Sequence, residues 1–258
     1  MTRILQKLFR HAFRHASRHI HDKGSLTIMT GANAPFFDPL ITCLLPSIER
    51  FEPNAYLYIW DLGFTSDQVD YLNDWFLKTK HKGGLRKFPF GELPNHYNMS
   101  GRTYAFKSYC IYNTIKKNET DYYVWLDTKC VLRDALFPER NLMRLYGFYS
   151  PYSSTNIKQL TYPNVLSEFC EDLCHYGDKQ MLSAGVICFS IHCTESVALI
   201  TEWYNHTFQE RLIAPVGSNR TNHRQDQSLL SLCYYSRYDK VPLLARRFYH
   251  VLPHMYKG

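Results

Sequence analysis

Two short stretches carry residues able to do chemistry. In Asp121-Tyr-Tyr-Val-Trp-Leu-Asp-Thr-Lys-Cys-Val-Leu-Arg-Asp134, an aromatic and β-branched run stops at Asp127, and Lys129 follows two residues later. The run has the composition of a buried strand. A carboxylate at its end is costly to bury without a partner. Strand alternation puts Asp127 and Lys129 on one side if the strand continues that far, where they could meet a charged ligand. A solvated strand end with a local ion pair fits the same spacing. The second stretch is His223-Arg-Gln-Asp-Gln-Ser228, which holds Asp226 between two amides and ahead of the apolar pair Leu229-Leu230. Asp226 is either a chemical acid or the cap of the helix that follows.

The elements that must position these groups alternate in type. Residues 25–30 read as a strand, with Gly31–Asn33 as the turn after it. A helix is expected over 38–51, a strand over 55–60 ending at Asp61, and a helix capped by Thr65 or Ser66 and running to about Lys80. A third strand over 85–90, a helix over 104–117 and the strand 122–126 complete a β-α-β-α-β-α-β order, which specifies a mostly parallel sheet flanked by helices. The second half is mixed. Strands are expected over 145–152 and 181–191, and helices over 195–211 and 227–235, the former with Val197, Ile200, Tyr204 and Phe208 inward. Ligands of open parallel sheets sit beyond the carboxyl ends of the strands, which groups residues 30–33, Asp61, Asp127 and Lys129.

The bulk numbers place limits on this reading. At 258 residues, 45% hydrophobic and 21% charged, the chain forms a folded core, read as one domain over 25–258 after an N-terminal segment over 1–24. The net charge of +7 calls for an anionic partner. The lysines and arginines beyond the N-terminus are scattered, which argues against nucleic acid. Residues 1–24 place Arg3, Arg10, Arg14 and Arg18 opposite Leu5, Phe9, Ala12, Ala16 and Ile20 on a helical wheel. Such a segment fits an anionic membrane surface, through residues 1–22, or a transit peptide, or a basic tail docked on the domain. Eight cysteines occur without a C-x-x-C pair. Cys170, Cys174, Cys188 and Cys193 are either buried thiols, a disulfide or a zinc set. The expected location is the cytoplasm or the periphery of a membrane. The cysteine count leaves a secretory lumen open, and the lack of an apolar h-region in residues 1–24 argues against it. Of the sequons at Asn98, Asn118, Asn205 and Asn219, the one at Asn205 falls inside an expected helix and is read as accidental.

Taken in order, LTIMTGANAP, YIWDLGFTSDQ, YAFKSYCIYNTI directly before YYVWLDTKCVL, then MLSAGVICFS and NHRQDQSLLS resemble the GT-A fold of nucleotide-sugar glycosyltransferases over about residues 25–254. The resemblance implies a Rossmann-like α/β domain that transfers a sugar from a nucleotide-diphosphate donor, with a uridine nucleotide expected, to a glycan or glycoconjugate hydroxyl. It implies donor contacts from Thr30, Gly31, Ala32, Asn33, Asp61, Arg102, Lys107, Asp127 and Lys129. Ala184 and Gly185 would leave room for the sugar. Asp226 would lie beside the reacting carbon, with His223, Gln225 and Gln227 toward the acceptor. The chain departs from the family where Lys129 replaces the second acid of the metal-binding Asp-x-Asp. A lysine cannot ligate a cation, yet it brings positive charge to the same place. Metal-independent transfer is therefore expected. The other reading keeps Mn²⁺ or Mg²⁺ on Asp127, helped by His250 or His254. A non-catalytic nucleotide- or glycan-binding protein on the same fold is the alternative from another class.

Overall fold

The computed structural model describes residues 24–99, 103–117, 120–169, 176–237 and 250–252. Six strands form the central sheet, in the order β3-β2-β1-β4-β9-β6. β1 is Leu26–Ala32, β2 Tyr56–Asp61, β3 Gly83–Lys87 and β4 Tyr122–Leu126. These four run parallel, as their order with intervening helices requires. β9, Val186–Ser190, lies antiparallel to β4, and β6, Phe148–Tyr149, lies antiparallel to β9.

Alternation along β4 divides the interior. Tyr123 and Trp125 join one buried cluster with Met29, Trp60, Ile187 and Phe189, whereas Val124 and Leu126 join a second with Ile28, Leu57, Ile59 and Val186. Both faces of the sheet are therefore dry, which explains why β4 reads as a continuous apolar run. The first face is covered by α3 (Phe106–Ile115), α6 (Thr194–Thr207) and α8 (Gln225–Arg237). The second is covered by α1 (Leu45–Phe51), which follows short helical turns from Ala34 to Leu44, and by α4 (Phe137–Tyr146). A capping box from Thr65 and Gln68 starts α2, Ser66–Thr79. Glu52 and Arg140 form a buried two-pronged ion pair at 2.6 and 2.9 Å that joins the end of α1 to α4.

Several boundaries differ from expectation. β1 continues through Gly31 and Ala32, which pair with Trp60 and Asp61 instead of turning. The segment 145–152 is the end of α4, then β6 and the start of β7 (Tyr152–Asn156). The strand expected over 181–191 is broken at residues 183–185 into β8 (Gln180–Leu182) and β9. The inward face of α6 is Leu199, Ile200, Trp203 and Thr207, because it packs on α8 as well as on α3. Small elements complete the described chain: β5 (Val131–Leu132), α5 (Pro163–Phe169), α7 (Glu210–Ile213) and β10 (Val251–Leu252). No described helix is long and apolar enough to cross a membrane.

Candidate active site

At the carboxyl ends of β1 and β4 a cavity of about 300 Å³ opens. Strand β4 ends at Leu126, and the chain then turns, with Cys130 donating its N–H to the Asp127 carbonyl at 2.9 Å. The strand ends at the expected residue and does not continue to Lys129, so alternation is not what sets the two side chains together. Asp127 and Lys129 nevertheless both line the cavity. Opposite them, the Asp127 N–H bonds the Gly185 carbonyl at 2.9 Å, which holds residues 183–185 against the end of β4. A Cβ on Gly185 would lie 3.2 Å from Asp127 Oδ2, so a side chain there would press on the carboxylate.

The cation that engages Asp127 is Lys107, from the first turn of α3. Its Nζ lies 2.9 Å from Oδ1 and 3.1 Å from Oδ2 of Asp127, donates to the Ala184 carbonyl at 3.2 Å, and stands 3.6 Å from Asp226 Oδ2. Trp125 adds an indole N–H to Asp127 Oδ1 at 2.9 Å. Lys107 and Asp226 are 5% and 4% exposed and the Asp127 side chain 30%, so the cavity floor is an acid–base–acid arrangement with a buried Lys107–Asp226 half and a partly exposed Asp127. Burial alone would lower the Lys107 pKa, but Asp127 and Asp226 outweigh it and hold the group above the ordinary lysine range. Burial also raises the Asp226 pKa to about 6. Lys107 opposes that shift, and Asp127 adds to it. Asp226 Oδ2 is buried without a hydrogen bond, because 3.6 Å to Lys107 is ion-pair distance only.

Of the sequence-derived donor residues, Gly31, Ala32, Asn33, Lys107, Asp127, Lys129, Ala184 and Gly185 meet at this cavity, with Asp226 and Gln227. Asn33 Oδ1 is buried there without a hydrogen-bond partner among the described residues. Thr30 is fully buried in β1 and lies off the cavity. Asp61 also lies off it, and its Oδ1 accepts the N–H groups of Gly63 and Phe64 at 2.8 and 2.7 Å, fixing the turn after β2. Arg102 and His254 lie outside the described residues.

The acceptor set needs correction. His223 is fully buried: Tyr162 N–H donates to its Nδ1 at 3.3 Å, and its Nε2 bonds the Leu212 carbonyl at 3.1 Å. Burial lowers its pKa to about 4, so it is a neutral structural group and cannot reach a ligand. Gln225 is buried away from the cavity, with a left-handed φ of 41°.

Among the described residues, Asp127 is engaged by a cation of the protein itself. Both Asp127 oxygens are engaged by Lys107, and Lys129 stands where a second acid would be needed. His250 Nδ1 is bonded to the Ala135 carbonyl at 2.6 Å, beside the β5–β10 pair and off the cavity. His250 therefore offers no support to a metal on Asp127. The cysteine set expected as one option for zinc is not gathered by the described residues either. Cys188 is buried in β9, Cys193 precedes α6, and Cys170 and Cys174 lie outside the described residues.

Three contributors escaped the sequence reading. Arg220 and Arg224 line the cavity, and Arg220 stacks 4.9 Å from the Tyr104 ring. Trp203 donates its indole N–H to the Asp226 carbonyl at 2.9 Å and thereby fixes the start of α8. The two arginines flanking Thr221-Asn-His223 were the available signal.

No protein-family model matches the chain, nor does the sequence of any curated protein. Solved structures do. The galactosyltransferase LgtC, in complex with donor and acceptor sugar analogs, superposes with a TM-score of 0.54 at 13% identity, covering 90% of this chain and 87% of LgtC. The chain has the GT-A glycosyltransferase fold. An active-site mutant of LgtC gives a TM-score of 0.55 at 12% identity, covering 89% and 87% of the two chains. The bifunctional glycosyltransferase WbbM, in its apo form, gives 0.56 at 14% identity, covering 87% of this chain; the chain spans 40% of WbbM. The cavity of this GT-A domain lies where open α/β sheets bind ligands, outside the carboxyl ends of parallel strands.

Proposed function

We propose that the protein is a glycosyltransferase that moves a hexosyl or pentosyl group from a nucleotide-diphosphate sugar to a hydroxyl of a glycan or glycoconjugate. The observation that carries this reading is the single buried lysine held between Asp127 and Asp226 at the strand-end cavity. The Asp226 carboxyl, its pKa pushed up to about 6 by burial beside that lysine, supports an enzyme that moves protons over a module that only binds. A uridine donor is the nucleotide implied by the resemblance of LTIMTGANAP and YIWDLGFTSDQ.

Transfer breaks the bond between the anomeric carbon and the diphosphate oxygen and forms one to the acceptor oxygen, through a state with oxocarbenium character. Asp226 provides the negative charge nearest that carbon. In an inverting reaction it accepts the acceptor proton; in a retaining one it flanks the reacting face. Asp127, held by Lys107 and Trp125, orients the donor sugar from β4. Lys129, Arg220 and Arg224 line the same cavity and supply positive charge to the departing diphosphate, the work a metal performs in many phosphate-handling sites.

The test is calorimetric titration of UDP and a panel of UDP-sugars, followed by assays of sugar release with glycan acceptors. Saturable binding that weakens at least about tenfold in Asp127→Ala is expected. No binding, or binding untouched by that substitution, overturns the assignment.

A further inference from the structure

Glu202 and His206 lie one turn apart on α6, and Cys233 meets them from α8. One carboxylate oxygen, one ring nitrogen and the thiol sulfur all lie within 4.8 Å of one another. We propose that these three side chains form a transition-metal site, matched to Zn²⁺, that clamps α6 to α8 at a distance from the sugar-nucleotide cavity.

The donor set is specific. Thiolate and imidazole select zinc over the hard cations that carboxylates and water prefer, so this is not a displaced Mg²⁺ or Mn²⁺ site. Ligand atoms around tetrahedral zinc stand about 3.3–3.8 Å apart. Glu202 Oε1 and His206 Nε2 are already 4.0 Å apart, and closure takes side-chain shifts of about 1 Å in residues placed one turn apart on one helix face. Arg237 pairs with Oε2 of Glu202 through its Nε, which leaves Oε1, the oxygen facing His206, for the ion. The arginine then acts as an outer partner that orients a ligating carboxylate. Cys233 is fully buried and Glu202 and His206 are about four-fifths buried, so solvent reaches the three ligands only from the cavity side. The fourth position faces a cavity of about 540 Å³ bordered by Glu202, His206 and Arg237, which admits a water. On binding, the thiol releases its proton to solvent and its sulfur takes up the metal.

The clamp would also bear on catalysis indirectly. Trp203, adjacent to Glu202, fixes the carbonyl of Asp226, and Asp226 opens the helix that carries Cys233.

The test uses the full chain, stripped of metal by a chelator and dialysed, then titrated with Zn²⁺ against a chromophoric competitor and separately with Co²⁺. One equivalent of tight Zn²⁺ is expected, with a thiolate-to-cobalt charge-transfer band and tetrahedral d–d bands. Cys233→Ser should abolish the charge-transfer band. Arg237→Met should weaken zinc about 10-fold or more. Asp127→Asn should leave both readouts intact. His206→Ala, checked for folding by circular dichroism, serves if Cys233→Ser does not fold, and should also lose the tetrahedral spectrum. Absence of stoichiometric zinc, a cobalt spectrum without a thiolate band, or a band that survives in Cys233→Ser overturns the site.

Discussion

The carboxylates of Asp127 and Asp226 share the Lys107 ammonium unequally, at 2.9 and 3.6 Å. Asp127 also receives the Trp125 indole, whereas the nearer oxygen of Asp226 accepts no hydrogen bond. The two acids therefore differ in role. Asp127 is the carboxylate held in position, and Asp226, its pKa pushed up to about 6 by burial, is the one poised to exchange a proton.

That asymmetry sets a pH dependence. Asp226 titrates near pH 6 in the folded protein, above its ordinary 3.8. In the proposed reaction it works as the carboxylate, so kcat/KM should fall as pH drops through about 6. Asp226→Asn keeps the shape and should lose about 10²–10⁴-fold in turnover, with donor affinity little changed. Near-wild-type turnover would make Asp226 a helix cap. The stability linkage has the opposite sign: the folded state binds the proton more tightly, so this residue's contribution to stability declines as pH rises from about 4 to 6.

Lys107 is the common partner of both acids, and its removal leaves the buried Asp226 and the partly exposed Asp127 without their shared cation. Breaking a buried pair in this way costs about 3–5 kcal/mol. Lys107→Met should lower the melting temperature by about 6–20 °C, since 1 kcal/mol corresponds to about 2–4 °C in a domain of this size. The loss should shrink at pH 4, where Asp226 is protonated. Thermal denaturation at pH 4 and 7.5 checks both the size and the pH trend.

Lys129 separates charge supplied by side chains from charge supplied by a metal. Adding Mn²⁺ or Mg²⁺ should change wild-type turnover less than about threefold. Lys129→Ala should lose about 10-fold or more, the scale of removing one preorganised electrostatic contact. Lys129→Asp should acquire a requirement for Mn²⁺. Steady-state assays across a metal titration decide this, and an absolute Mn²⁺ requirement of the wild type would refute it.

The arginine face of residues 1–22 is read as a means of location. A chain starting at Gly24 should retain donor turnover and lose binding to anionic vesicles. Co-sedimentation with phosphatidylserine liposomes is the measurement, and unchanged binding rules the role out.

The sequence showed best where local composition and tertiary setting agree. The strand 122–126 has the expected limits because its aromatic and β-branched residues are buried on both faces. Thr65 was legible because its capping box is local. The segment 137–146 does not read as a helix, since its inward Glu139, Arg140 and Asn141 are polar, and the partners of Glu139 and Arg140, the His250 N–H and Glu52, lie far along the chain. The same reason hid the site's wiring. Lys107, Asp127, Gly185 and Asp226 each stand in a recognisable motif, yet nothing local says that one lysine spans both acids. His223 was misread because a polar residue between two arginines gives no sign of complete burial. Glu202, His206 and Cys233 are separated by a helix turn and a helix crossing, which no spacing rule for metal ligands covers.

The antiparallel lie of β9 against β4 has a further consequence. Chain leaves the cavity at Asp127 and returns to it at Gly185, joined there by one main-chain hydrogen bond. Residues 128–184 are thus an excursion whose two ends are stapled at one point of the sheet. Between those ends the chain adds β6 to the sheet and α4 to its second face, and its first and last residues, Thr128, Lys129, Ser183 and Ala184, line the cavity. The segment that completes the core thus also shapes the mouth of the site, so a change in its packing would be transmitted to the floor of acids and lysine.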